Sequence, residues 1–209
     1  MGLTTQQMIK WIQKANETIQ ENKAYLSDLD QAIGDGDHGF NMARGFEETA
    51  KKLSEGSYNE PADVLKDCSM TLISKVGGAS GPLYGTAFLK MALALKGKEE
   101  IDYRSLSEAI TAAADGIKQR GKAAEQEKTM IDVWSPVAYY METQNEMDTE
   151  GFLRTAKQAM DRTKDMKAAK GRASYLRERS IGHLDPGSVS SYYVLSTLAQ
   201  IIDEEEVSL

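Results

Sequence analysis

The positions of the four prolines constrain the fold of this 209-residue chain more than any other feature. Proline lacks a backbone N–H and fixes φ, so it suits the first turn of a helix and disrupts a helix interior. Pro61 precedes Val64, Leu65, Cys68, Leu72 and Val76; Pro82 precedes Phe88, Leu89, Ala92 and Leu95; Pro186 precedes Val189, Tyr192, Tyr193, Ser196 and Ala199. Each proline is read as opening a helix, Pro136 included, although the pattern behind Pro136 is weaker. Gly56, Gly77, Gly78, Gly97, Gly121 and Gly171 fall where such helices would stop, because helix C-termini commonly need left-handed backbone. At the start of the chain Met8, Ile12, Ala15 and Ile19 recur at steps of three and four, and no sustained apolar/polar alternation predicts strands. The expectation is an all-α fold of about eight helices, near 5–26, 38–55, 61–76, 81–96, 104–121, 135–146, 149–170 and 187–203. Short connections make successive helices antiparallel.

A hydrophobic content of 41% and a charged content of 27% are those of an ordinary soluble globule. No linker-like stretch divides the chain, so residues 1–209 are read as one domain. Cys68 is the only cysteine; it excludes an internal disulfide and fits a reducing compartment as a small core residue. The N-terminus lacks a basic start and a long apolar run, so neither a signal peptide nor a membrane span is expected, and the cytoplasm is the expected location. A net charge of -7 argues against nucleic-acid or anionic-membrane binding, and any phosphate must be met locally. The acidic end Asp203–Glu206 reads as solvated.

Between two helical patterns, Asp28 to Gly39 concentrates four carboxylates and three glycines. Gly34, Gly36 and Gly39 match G-x-G-x-x-G, but no strand precedes them and Asp35 and Asp37 would repel a bare pyrophosphate. An EF-hand starting at Asp35 would need Glu where Phe46 stands. Asp30, Asp35 and Asp37 instead offer three hard oxygens on a glycine-loosened backbone, a set that suits magnesium and needs a cation to offset its mutual repulsion. Asp28 reads as a solvated capping residue, and a plain Asp/Gly turn is the competing reading of the loop taken alone. His38 and Asn41 sit at the start of the second helix, near its positive dipole end, where they could face a phosphate or support the loop.

Two further helix starts carry the same character. Gly77 to Pro82 would leave free amides beside small side chains, with Ser80 as the N-cap candidate, or form a plain interhelical turn. The lysine-bearing P-loop signature is absent, so a metal must carry the phosphate charge. Gly171 to Ser188 places Arg172, Arg177 and Arg179 ahead of Asp185, an N-cap, and Pro186 at the first helical position. Those arginines suggest an anion site, or pair with surface carboxylates.

Taken in order, Asp30-x4-Asp35-Gly36-Asp37-His38-Gly39-x-Asn41, Gly77 to Pro82, and Gly171 to Leu176 through Asp185-Pro186-Gly187 resemble the dihydroxyacetone kinase L family across nearly the whole chain, in its free-standing, phosphoenolpyruvate-dependent form. The resemblance implies an antiparallel eight-helix barrel with a nucleotide in the loops at one end. It implies tightly bound, coenzyme-like ADP and two magnesium ions held by Asp30, Asp35 and Asp37. His38, Asn41, Gly78, Ala79 and Ser80 match positions around the phosphates and ribose, and Gly121, Thr129 and Met130 fall near the base. Gly171, Asp185, Pro186 and Gly187 belong to the loop that closes over the nucleotide. Arg179 aligns with that loop's arginine, while Arg177 stands where the family pattern has glycine. The implied activity is a phosphoryl relay: ADP takes a phosphoryl group from a phosphohistidine-carrying M subunit and passes it to dihydroxyacetone on a K subunit. No side chain of this chain is assigned as a catalytic nucleophile. A homodimer is an alternative assembly. Competing functions are an ATP-dependent kinase domain of the same fold and a noncatalytic nucleotide-binding regulator of a transcription factor.

Overall fold

Thr4 starts the first helix with a reciprocal cap: the Gln7 amide donates to Thr4 Oγ1 at 3.3 Å, and the Thr4 amide donates to Gln7 Oε1 at 2.8 Å. In this computed structural model, which describes residues 2–209, α1 spans Thr5–Ile33. It is followed by α2 (His38–Glu55), α3 (Pro61–Lys75), α4 (Ser80–Ala94), α5 (Tyr103–Gly121), α6 (Ile131–Glu142), α7 (Thr149–Arg162) and α8 (Pro186–Glu204). Each helix packs against its neighbours in the chain, and α8 closes onto α1. The product is a closed antiparallel barrel of eight helices, in the all-α class expected from the proline and glycine pattern.

The barrel is filled, with Trp11, Phe46, Tyr84, Phe88 and Trp134 all fully buried. Trp11 and Phe88 are tilted at 5.6 Å between ring centres, and Phe46 meets Tyr84 edge-on at 6.3 Å. The Trp11 indole N–H donates to the Val194 carbonyl at 2.8 Å, fastening α1 to α8.

Alternating direction around the ring puts the α1–α2, α3–α4, α5–α6 and α7–α8 connections at one end. The helices that begin there are α2, α4, α6 and α8, so four helix N-termini and their partial positive charges face the same place. No helix among the described residues is long and apolar enough to cross a membrane.

Several boundaries differ from the sequence expectation, each for a physical reason. Helix α1 continues to Ile33 instead of stopping near 26, because Leu26, Asp30 and Ile33 prolong its buried stripe at steps of four and three. Helix α6 begins at Ile131, so Pro136 lies inside it and not at its start. Helix α7 ends at Arg162, and two short 3-10 segments, Thr163–Asp165 and Arg172–Ser180, occupy ground expected to be helix or loop. Leu3–Thr4 (β1) pairs antiparallel with Glu100–Ile101 (β2) although no strand was expected; two residues are too few for alternation to register. Gly121 closes α5 from within, and it is Lys122 that takes the left-handed position after it, at φ 48°.

Candidate functional site

Asp30 is a carboxylate at a core-facing position on the last turns of α1. That placement aims it at the barrel end, where its Oδ2 accepts the backbone N–H groups of Asp37 at 3.0 Å and His38 at 3.2 Å. The turn between α1 and α2 therefore wraps around one carboxylate, and Gly36 makes the bend at φ 78°. Asp37 precedes α2 without capping it by its side chain. Carboxylate oxygens of Asp30, Asp35 and Asp37 come within 4.8 Å of one another. Burial, followed by repulsion from Asp35 and Asp37, pushes the Asp30 carboxyl above its ordinary range, against the opposing effect of the His38 amide. Asp35 also pairs with the Arg172 guanidinium at 2.9 Å. A cation already offsets the cluster at one point, and three oxygen donors of this kind fit a hard divalent ion such as magnesium.

The acidic turn forms one wall of a cavity of about 550 Å³, a size that suits a small-molecule ligand. Asn41, Gly77, Gly78, Ala79 and Ser80 continue the wall from α2 to the start of α4. Leu83, Ile117, Gly121, Ala123, Thr129 and Met130 supply a more apolar side, and Asp185, Pro186 and Gly187 line the start of α8. Gly171, Arg172 and Ala173 reach the cavity from the long α7–α8 connection. Asp30, Asp35, Asp37 and every residue that the family resemblance assigns to the nucleotide line this one space, except Arg179. Arg179 lies on the 3-10 segment outside the wall, and Arg172 is the arginine facing the acidic turn. Arg177 holds φ 52°, backbone that glycine adopts more readily than arginine.

His38 is buried, and both ring nitrogens are engaged: Nδ1 with Ser80 Oγ at 3.1 Å and Nε2 with Ser190 Oγ at 2.9 Å. Burial lowers its pKa to about 4, so the imidazole is neutral near pH 7. Ser80 is consequently the first residue of α4 and a partner of His38, not the N-cap, which is Ala79. Beneath His38, Ser190 contacts Tyr84 Oη at 2.7 Å, Tyr84 contacts Ser191 at 3.0 Å, and the Trp134 indole N–H donates to Ser191 Oγ at 3.0 Å. This buried chain of hydroxyls fixes the floor of the site.

The α5–α6 connection is held in an unusual shape, with Lys122, Gln126 and Lys128 all at positive φ. Asp132, buried at the start of α6, accepts the amides of Gln126 and Thr129, the latter at 2.8 Å. That stretch carries no motif, so nothing in the sequence marks Lys128 or Asp132 as organisers of the wall.

Asp185 caps α8 as expected, accepting the Ser188 amide at 2.7 Å and the Ser188 hydroxyl at 2.9 Å. Burial raises its pKa to about 6, against those hydrogen bonds. An aspartate whose folded pKa exceeds its unfolded one binds more protons in the native state. The contribution of Asp185 to the stability of the metal-free, nucleotide-free protein is therefore expected to fall as pH rises from about 4 to about 6, while His38, with its folded pKa lowered to about 4, contributes in the opposite sense over much of the same range. Asp185→Asn keeps the cap and should tilt a melting-temperature series towards greater stability at the upper end of that range relative to wild type; an unaltered profile would refute the assignment.

A family model described as the DAK2 domain matches residues 32–200. The chain belongs to this family. The ADP-binding subunit DhaL of PEP-dependent dihydroxyacetone kinase 1 from Listeria innocua is 52% identical over 192 residues, covering 92% of this chain and 94% of its own length. The DhaL subunit of PEP-dependent dihydroxyacetone kinase from Escherichia coli is 40% identical over 205 residues, with coverage of 95% and 98%. The DAK2 domain here also superimposes on the dihydroxyacetone kinase of C. freundii solved with AMP-PNP and Mg2+, at a TM-score of 0.73 and 22% identity. That likeness covers 96% of this chain and 34% of the other, so the DAK2 chain spans about a third of that kinase and shares its fold. Relatives named as kinase subunits place this DAK2 chain among the phosphotransferases.

Proposed function

We propose that the chain is the ADP-carrying subunit of a dihydroxyacetone kinase and works as a phosphoryl relay. ADP in the cavity would accept a phosphoryl group from a phosphohistidine-bearing M subunit and deliver it to dihydroxyacetone on a K subunit. The observation that carries this reading is the convergence of three aspartate oxygens within 4.8 Å at the rim of a cavity onto which four helix N-termini open. Phosphoryl transfer requires alignment and charge neutralisation more than a protein nucleophile. Two magnesium ions held by Asp30, Asp35 and Asp37 would supply the neutralising charge at the phosphates.

The chain's own residues do the rest. Asp30 anchors the turn through the Asp37 and His38 amides. The amides opening α2, α4 and α8 offer anion-binding N–H groups beside Asn41, Gly78, Ala79, Ser80 and Gly187. A neutral His38 holds Ser80 in place without adding charge. The apolar side built from Leu83, Ile117, Ala123 and Met130 suits a purine face. The 171–173 segment, which reaches the cavity from the α7–α8 connection, would close over the phosphates and exclude water from them. Residues 1–209 would act as one nucleotide-binding domain in the cytoplasm, and a homodimer is compatible with this role.

Denaturing extraction of the freshly purified protein, followed by nucleotide chromatography and a chase with labelled ATP in magnesium buffer, tests the proposal. Stoichiometric ADP that resists exchange is the expected result. Rapid exchange would point to an ATP-dependent kinase domain, and absence of bound nucleotide would overturn the assignment.

A further inference from the structure

Residues 167–182 leave the barrel after Met166 and return at His183, and both stems of this lid meet on one buried ammonium. Lys128 Nζ donates to the carbonyls of Thr163 at 2.7 Å, Met166 at 3.2 Å and His183. Its three hydrogens thus meet three acceptors drawn from either side of the lid, and the residue is 1% exposed. Lys128 also lines the nucleotide cavity and holds φ 59°, a conformation that a lysine keeps only when its surroundings impose it. Further bonds knit the same stems: Gly182 N–H to the Lys164 carbonyl at 2.7 Å, Ala169 N–H to the Glu127 carbonyl at 3.1 Å, and Ala168 N–H to Ser180 Oγ at 2.9 Å. The tip is fastened differently. Arg172 reaches Asp35 at 2.9 Å with a guanidinium side chain 69% exposed, and ion pairs of that kind contribute little.

We propose that Lys128 is a positioning residue for nucleotide retention, clamping the base of the lid while the Arg172–Asp35 pair acts as a weak latch at its tip. Lys128 acts through the lid and not on the phosphates, since carbonyls already take all of its hydrogens. The same cage lies just past the end of α7: Thr163 and Met166, whose carbonyls meet the ammonium, belong to the 3-10 turn after Arg162, in which the Met166 N–H also donates to the Thr163 carbonyl at 3.2 Å. This inference rests on the nucleotide reading above.

The test loads the full chain with magnesium and radiolabelled ADP and follows release into excess unlabelled ADP. Lys128→Met is expected to speed release by about tenfold or more, as expected for loss of a buried charged donor. Arg172→Ala should speed it by less. Mn2+ affinity of the nucleotide-free protein, read by paramagnetic resonance, should stay unchanged in Lys128→Met, whereas a general loss of structure would weaken it too. Wild-type release rates in Lys128→Met, or loss of Mn2+ affinity in step with ADP, would overturn the clamp. Amide hydrogen exchange on the wild-type protein supplies a measure independent of any variant: Ala168, Ala169 and Gly182 should be protected well beyond residues 172–177. Equal exchange along the whole lid would also overturn the clamp. A wild-type protein that carries no ADP defeats the nucleotide reading instead, and the exchange pattern then tests the clamp by itself.

Discussion

Replacing Asp35 with Asn is expected to weaken magnesium and ADP binding together, by about 100-fold or more, since even changes outside the ligand set of a metal typically cost 10- to 100-fold. The Asp35 carboxylate pairs with Arg172 and, among the described residues, accepts no backbone N–H. Its loss should therefore leave the α1–α2 turn intact, and the metal-free variant should melt close to the wild type. Asp30→Asn differs, because Asp30 also holds the Asp37 and His38 amides and its replacement disturbs the fold of the turn. Calorimetric titration of ADP with and without magnesium separates these cases: ADP affinity unchanged in Asp35→Asn would sink the metal bridge. Removing magnesium from the loaded wild-type protein should likewise lower its melting temperature, because a ligand that binds only the folded state stabilises it by mass action.

Gly39→Ala is expected to destabilise the protein by about 2 kcal/mol net, from an overpacking cost of about 3 kcal/mol, the upper end of the usual range. A β-carbon at this position would lie 1.9 Å from the Lys23 carbonyl oxygen and 2.8 Å from the Ser27 amide nitrogen. Both are backbone atoms of α1, so no side-chain rotation relieves the clash and α2 must move away. The intrinsic helix preference of alanine over glycine offsets only about 1 kcal/mol of that cost. For a chain of this size the net change corresponds to a fall in melting temperature of roughly 4–8 °C. Because α2 carries His38 and Asn41, nucleotide affinity should fall as well. A variant that melts with the wild type would show that α1 and α2 do not approach this closely.

Much of the barrel is legible in the sequence because its signals are local. Pro61 and Pro186 mark helix starts, Asp185 marks a cap, and the stripe from Met8 to Ile19 marks a buried face. Asp30, Asp35 and Asp37 mark an acidic, glycine-loosened turn through composition and spacing alone. The boundaries that were misplaced depend on distant contacts. Asp30 looks like a loop residue until its stripe is followed to Ile33, and α7 looks continuous to 170 until the 3-10 turn after Arg162 brings the Thr163 carbonyl to Lys128.

The sequence by itself determined the helical class, the count and order of the helices and the three carboxylates, since periodicity, proline and glycine act within a few residues of themselves. Only the tertiary structure decided that α8 closes onto α1, that Arg172 and not Arg179 faces the acidic turn, and that Lys128 fastens the lid. Those outcomes rest on contacts between residues distant in the chain. Closure brings residues more than a hundred positions apart, such as Tyr84 and Ser191, into contact, and no local pattern encodes it.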